Sequence, residues 1–343
     1  MAGAIFNAIE AGVIYAIMAL GVYLSFRILD FPDLTVDGSF VTGAGTAAIM
    51  IVNGHNPIIA TIVAACAGFL AGSITGILHT KGKINPLLSG ILMMIALYSI
   101  NLRIMGRSNV PLLTEDTVIS KIRDSWNSSS LNGAVGSLLD SAGLQGILPS
   151  SWGVLLSMLV VTLLIKCVID AFLKTEVGLA IRATGDNENM IHSFSANTSN
   201  MKILGLGISN GLVALSGALI AQYGGFSDVG MGIGMIVIGL ASVIIGEAVF
   251  GSRSIMRATF AVVGGAIIYR IVVTLAMQAN FLDTGDMKLI TAIIVIIALI
   301  LPKIIDKQKE RNRKQKRLKE LHLKSDMGST TGGDHIATIK ADL

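Results

Sequence analysis

Read from its N-terminus, the chain alternates long apolar runs with short polar interruptions. Nine runs come close to the roughly 20 residues that cross a bilayer as a helix: 8–27, 35–52, 57–78, 86–105, 152–173, 201–222, 229–250, 256–277 and 288–305. Two of the nine are weakened by their own residues. The second grows out of "ILDFPDLTVDGSF", where Pro32 stops one helix, Asp33 or Thr35 caps a new one, and Asp37 falls in its first turns. The seventh, in "YGGFSDVGMGIGMIVIGLASVIIG", opens with Asp228 and is thinned by Gly230, Gly232, Gly234 and Gly239. Spans two and seven lie five apart and so run in opposite directions. Interrupted helices at matching positions of inverted halves point to a transport pathway. The pattern predicts an all-α, polytopic membrane helical bundle of about nine spans, with interrupted second and seventh helices and an inverted repeat.

Composition strengthens this reading. Of 343 residues, 52% are hydrophobic and 14% charged, against about 25% charged in soluble domains. Too little charge is present to cover a water-facing surface, so the chain is an integral membrane protein. Its N-terminus lacks the basic region and cleavage site of a signal peptide and reads as a retained first span.

Basic residues then orient the spans. Arg27, Lys81, Lys83, Lys174, Arg182, Lys202, Arg253, Arg257 and the tail from Lys303 fall in one set of loops. Arg103, Arg107, Lys121, Arg123 and Lys288 fall in the other. The positive-inside rule places the N-terminus outside and the C-terminus in the cytoplasm. Residues 1–302 form the transmembrane domain. Residues 303–343 form a basic cytoplasmic tail, expected to be disordered and close to anionic lipid headgroups rather than nucleic acid. On the outer side only the loop 106–151 is long, and it reads as a docking surface for an outside partner or as a cap.

Candidate chemistry is sparse. Cys66 and Cys167 lie inside apolar runs, and the five histidines are scattered without metal-ligand spacing. "GILHTKGKI" has one residue too many and no Ser or Thr after its Lys to be a phosphate loop. The chain is therefore expected to be no enzyme and to hold no metal, and any ATP hydrolysis belongs to another chain. Ionisable groups inside spans are functional candidates by default. Asp37 lines a pathway or merely caps a helix. Arg270 contacts an anionic group, pairs with Asp37 or snorkels outward. Asn101 lines the outer mouth or bonds between helices. Thr35 and Ser39 are secondary pathway candidates. The cytoplasmic loop "KTEVGLAIRATGDNENMIHSFSANTSNMK" is too small for a catalytic domain and has the shape of a lever pressed into a partner.

Four stretches carry a resemblance: "GVIYAIMALGVYLSFRILDFPDLTVDGSF", "SGILMMIALYSINLRIMGRSNVPLL", "EVGLAIRATGDNENMI" and "NGLVALSGALIAQYGGFSDVGMGIG". Together they resemble the permease subunits of bacterial ATP-binding-cassette importers of the branched-chain amino acid type, in a branch linked with tryptophan or tyrosine uptake. The resemblance implies a dimer of permeases, two cytoplasmic ATPase subunits using ATP and Mg, and an extracellular substrate-binding protein. It places an ATPase-coupling loop at Gly178, Arg182, Ala183, Thr184, Gly185 and Asn187. The long basic tail departs from the family pattern. The rival reading is an ion-coupled secondary transporter using Asp37 as its proton or sodium site. A scaffold without transport would not need interrupted spans.

Overall fold

The computed structural model of the chain describes residues 2–128, 152–193 and 197–277, with a few isolated positions from 289 to 300. The expected ninth span and the basic tail lie outside the described residues, as does most of the outer loop beyond residue 128. Among the described residues, eight helices are long and apolar enough to cross a membrane.

Helix α1 (Ala2–Val22) runs on through a π-helical turn, Tyr23–Ile28. It is followed by α2 (Thr35–Val52), α3 (Pro57–Thr80) and α4 (Pro86–Met105). Strand β1 (Asn109–Pro111) and the short amphipathic helix α5 (Val118–Asn127) follow. Next come α6 (Gly153–Phe172), the short helices α7 (Glu176–Asp186) and α8 (Glu188–Ser193), and α9 (Thr198–Gly224). Strand β2 (Phe226–Asp228) and a 3-10 turn (Val229–Gly232) lead into α10 (Met235–Phe250) and α11 (Ile255–Met277).

The sequence dictates where these helices begin. The Asn56 and Asn85 side chains accept the backbone N–H of Ile58 and Leu87, with proline at the first helical position of α3 and α4. The two strands pair antiparallel, Val110 opposite Ser227, and tie the end of α4 to the end of α9 on one side of the bundle.

The helix contacts are symmetric. Exchanging α1 with α9, α2 with α10 and α3 with α11 converts the α3–α9 contact into α11–α1, α2–α9 into α10–α1, and α2–α3 into α10–α11. The exchanged helices lie five spans apart and suggest the expected repeat.

Inside a bilayer the apolar effect does little to hold helices together, so close backbone approach and interhelical hydrogen bonds take its place. Helix α1 receives three such bonds. Thr162 Oγ1 donates to the Val13 carbonyl at 3.0 Å, Ser209 Oγ to Gly21 at 2.7 Å, and Ser216 Oγ to Ile14 at 2.9 Å. The charges of α6 are matched internally, with Lys166 pairing Asp170 one turn on and Thr259 Oγ1 donating to Asp170 at 2.7 Å. Helices α2 and α9 touch backbone to backbone: a Cβ at Gly43 would strike Ala214, and one at Gly217 would strike Phe40.

Gly217→Val should therefore force α2 and α9 apart and cost about 1–3 kcal/mol by overpacking. The measurement is the thermal midpoint of the detergent-solubilised chain. Gly224→Ala, where a Cβ meets only ordinary contact at 3.7 Å, serves as the control. A Gly217→Val protein melting with wild type would contradict this packing.

Candidate functional site

Pro32 and its neighbours stop the first helix, and α2 restarts at Thr35. Asp33 is fully buried; its Oδ1 accepts the Thr35 N–H at 2.9 Å and its Oδ2 accepts Asn210 Nδ2 at 2.6 Å. Thr35 Oγ1 lies 2.8 Å from Thr75 Oγ1 on α3. This network fixes the start of α2 against the middle of α9, deep in the bundle. Asp30, by contrast, is exposed, with φ 51°.

The seventh span is broken too. Its 3-10 turn ends at Gly232, Ile233 is extended, and Gly234 takes φ 89°, a conformation open to glycine at little steric cost, before α10 begins. A new helix at this depth presents unpaired backbone N–H groups, each costly in a medium without water. Asp37 supplies their acceptors from the first turn of α2. Its Oδ2 accepts the Gly234 N–H at 2.9 Å and its Oδ1 accepts the Ile236 N–H at 2.8 Å. The carboxylate thus sits at the positive ends of two helices at once. A Cβ at Gly232 would strike the Asp37 carbonyl, so only glycine lets the turn lie this close to α2.

Between α2, α4 and this break lies a cavity of about 470 Å³. Asp37, Gly38 and Val41 line it from α2, and Met94, Ile95, Tyr98 and Asn101 from α4. Val229, Gly232 and Ile233 close it on the side of the break. Asn101 is held at both ends of its amide: its Nδ2 donates to the Gly38 carbonyl at 3.1 Å and its Oδ1 lies 2.9 Å from Thr42 Oγ1. That hydroxyl is also 3.0 Å from the Gly38 carbonyl, and its single proton serves one acceptor at a time. Asn101 therefore ties α4 to α2 at the cavity wall.

The cavity brings together Asp37 and Asn101 of the expected residues. Thr35 and Ser39 lie on the same helix outside its lining; the Ser39 Oγ is buried with no hydrogen-bond partner among the described residues. Arg270 lies apart. Its guanidinium carbon is 4.9 Å from the centroid of the Tyr15 ring, which stacks on Phe40 at 6.1 Å. Asp37 pairs with backbone amides rather than with Arg270. The sequence reading missed Tyr98, Met94 and Ile95, and their signal was helical spacing: with Asn101 they share one face of α4.

The cytoplasmic loop of the sequence reading folds as α7 and α8. Thr175 Oγ1 caps α7 by accepting the Gly178 N–H at 3.2 Å, and Asn187 Oδ1 accepts the Met190 N–H at 3.0 Å at the start of α8. Gly178 and Thr184 are buried, Arg182 and Ala183 half-buried, and Asn187 exposed. Ile181 is fully buried in a cluster with Leu29, Phe31 and Leu206. Gly185 lies against the Ile28 carbonyl, closer than any side chain would permit. Helix α7 is thus packed on the segment that leads to Asp33 and α2. Its far face leaves Val177 and Leu179 exposed, and α8 exposes Met190. Among the described residues, no group of three His, Cys, Asp or Glu could hold a metal ion.

Three comparisons bear on this arrangement. The sequence model described as "Branched-chain amino acid transport system / permease component" matches residues 4–300. A "Tyrosine transport system permease protein" of Clostridioides difficile (strain R20291) is 43% identical over 295 residues, covering 86% of this chain and 90% of that protein. An uncharacterized protein of Rickettsia prowazekii (strain Madrid E) is 33% identical over 300 residues, covering 85% of this chain and 95% of the other. Among solved structures, "PsaBC from Streptococcus pneumoniae in complex with Fab" aligns with 14% identity and a TM-score of 0.48, covering 85% of this chain and 90% of that one. That likeness is too distant to carry weight here.

If Asp37 holds the start of α10, Asp37→Ala strands two N–H groups in the bundle. Loss of about 1–3 kcal/mol is expected for each buried donor left unpaired. Asp37→Asn retains an acceptor and should lose less. Thermal unfolding in detergent measures both. Equal midpoints for wild type and Asp37→Ala would mean that the carboxylate does not hold α10.

Proposed function

Because this chain belongs to the branched-chain amino acid transport system permease family, we propose that it passes an aromatic amino acid across a bacterial plasma membrane through the cavity at the helix break. It is the permease subunit of an ATP-binding-cassette importer that moves a small, amino-acid-like solute. It is a multi-pass membrane transport subunit and not an enzyme. The family match gives the ion-coupled alternative no support.

The finer parts of this reading follow from geometry and from the family. The family architecture supplies ATP and Mg on a separate ATPase, an extracellular binding protein and a second permease copy. The substrate class rests on the name of the Clostridioides difficile relative. The N-terminus lies outside and α7 faces the cytoplasm, in keeping with the basic residues of the loops on the α7 side.

One observation carries the mechanism: α7 packs through Ile181 on Leu29 and Phe31, directly ahead of the capped start of α2. The ATPase seats on the exposed Val177, Leu179 and Met190. Its closure on ATP shifts α7, and the rigid contact at Ile181 and Gly185 passes that shift to the break. Asp37, Asn101, Thr35 and Ser39 belong to the pathway region on this reading, and Arg270 to its flank. Such switching needs two states of the break whose balance the nucleotide biases.

Two measurements test it. The full-length tagged chain, taken from native membranes in mild detergent, should bring down a stoichiometric ATP-binding-cassette ATPase. Leu179→Glu should lose that partner while the permease still melts as wild type. A chain that elutes alone even after gentle crosslinking would overturn the importer assembly. Ile181→Ala removes a buried side chain worth about 2–5 kcal/mol where it packs. With the ATPase still bound, this variant should cut ATP-driven tyrosine uptake about tenfold; undiminished uptake would rule out α7 as the lever.

A further inference from the structure

We propose that the cavity beside Asp37 is a substrate site within the membrane, and that it takes a small molecule with a protonated amine on an apolar or aromatic body. The inference rests on the importer reading and adds the chemistry of recognition.

The walls set the body of the ligand. Val41, Met94, Ile95, Tyr98, Val229 and Ile233 are apolar or aromatic, and about 470 Å³ is room for a single-ring side chain with its backbone groups. The polar groups set the head. Asn101 uses one N–H and one acceptor position on α2 and, being neutral, brings no charge to the site. Asp37 is different. Each of its oxygens accepts one backbone N–H, and a carboxylate oxygen has two lone pairs, so each retains an acceptor position. Asp37 is also the one charged side chain of the cavity lining. A charge lining a cavity inside a membrane bundle calls for an opposite charge or a water-filled path. An ammonium group meets the first demand and arrives through the second.

The site also explains why the acid resides on α2 and not within α10. Holding the start of α10 with an acid from the facing helix leaves one carboxylate shared between the helix break and the ligand. A bound ammonium would draw on the same oxygens that pin Gly234 and Ile236, and so links occupancy to the position of the break. A ligand carrying only a carboxylate would bring like charge against Asp37 and be excluded.

The test uses the full-length permease in lipid nanodiscs with three radiolabelled probes that share one ring: tyrosine, tyramine and 4-hydroxyphenylpropionate. Tyrosine carries both charged groups, tyramine only the amine, and 4-hydroxyphenylpropionate only the acid. The expected order is tyramine and tyrosine bound, with the acid at least tenfold weaker. Asp37→Asn should weaken both amines at least tenfold and remove their preference over the acid. Met94→Trp fills the cavity without touching the Asp37 hydrogen bonds, and should weaken all binding while the protein still melts as wild type; it keeps the test decisive if Asp37→Asn unfolds. Equal binding of acid and amine, amine binding untouched by Met94→Trp, or no binding of any probe by wild type would overturn the proposal. In that last case, an ATPase that still copurifies leaves the importer reading standing. Loss of the ATPase itself is the separate failure of that reading.

Discussion

The arrangement depends on one requirement: a helix that starts inside a membrane must find acceptors for its first N–H groups. Helix α10 starts there, after a 3-10 turn and a left-handed glycine, and no water is at hand in a bilayer to satisfy it. Asp37 meets the need from another helix, with bonds of 2.9 and 2.8 Å to Gly234 and Ile236. Around this pairing the remaining features take their places. Asp33 and Asn210 hold the start of α2 so that Asp37 is aimed at the break. Gly232 lets the turn lie against the α2 backbone. Asn101 fastens α4 as the third wall of the cavity.

The same pairing sets the break apart from the rest of the bundle. Elsewhere the bundle is held by close backbone contact and by hydroxyl-to-carbonyl bonds, which tolerate little displacement. At the break, the hydrogen bonds between the two segments run through one side chain, beside the backbone contact at Gly232. The segment before α2 is also where α7 attaches, through Ile181 and Gly185. A displacement of α7 therefore reaches the start of α2 through direct packing. The symmetric contacts between the halves add a further constraint: α2 and α10 are exchange partners, and they meet at the cavity.

Much of this was legible in the chain. Pro32 with its flanking aspartates marked the first break, and a run of glycines marked the second, because proline and glycine act locally and leave their mark in the sequence. The helices of the loop between the fifth and sixth spans were legible because the segment is short and amphipathic between long apolar runs. Partners were not legible. Asp37 bonds to backbone amides some two hundred residues away, and backbone amides carry no sequence signature. Arg270 was expected to contact an anionic group, to pair with Asp37 or to snorkel outward; it does not pair with Asp37, and it lies over Tyr15, an aromatic ring that hydropathy counts only as apolar. Asn101 stood out as polar in an apolar helix, but its role as a tie to Gly38 depended on a contact across helices. Tyr98, Met94 and Ile95 share the Asn101 face of α4, but membrane helices are apolar all round, so that spacing alone does not mark the face as a cavity wall.

The central claim is that the break beside Asp37 borders a pathway whose access changes with the nucleotide state of a partner ATPase. Ile233 is exposed at the cavity and offers a reporter. In a Cys66→Ala, Cys167→Ala background, Ile233→Cys permease with its ATPase would be reconstituted in proteoliposomes with the ATPase inside. It would then be labelled from outside with a membrane-impermeant thiol reagent. Such switching predicts slow labelling without nucleotide and markedly faster labelling when a non-hydrolysable ATP analogue holds the ATPase closed. A labelling rate that is the same in both states, or no labelling in either, would contradict it.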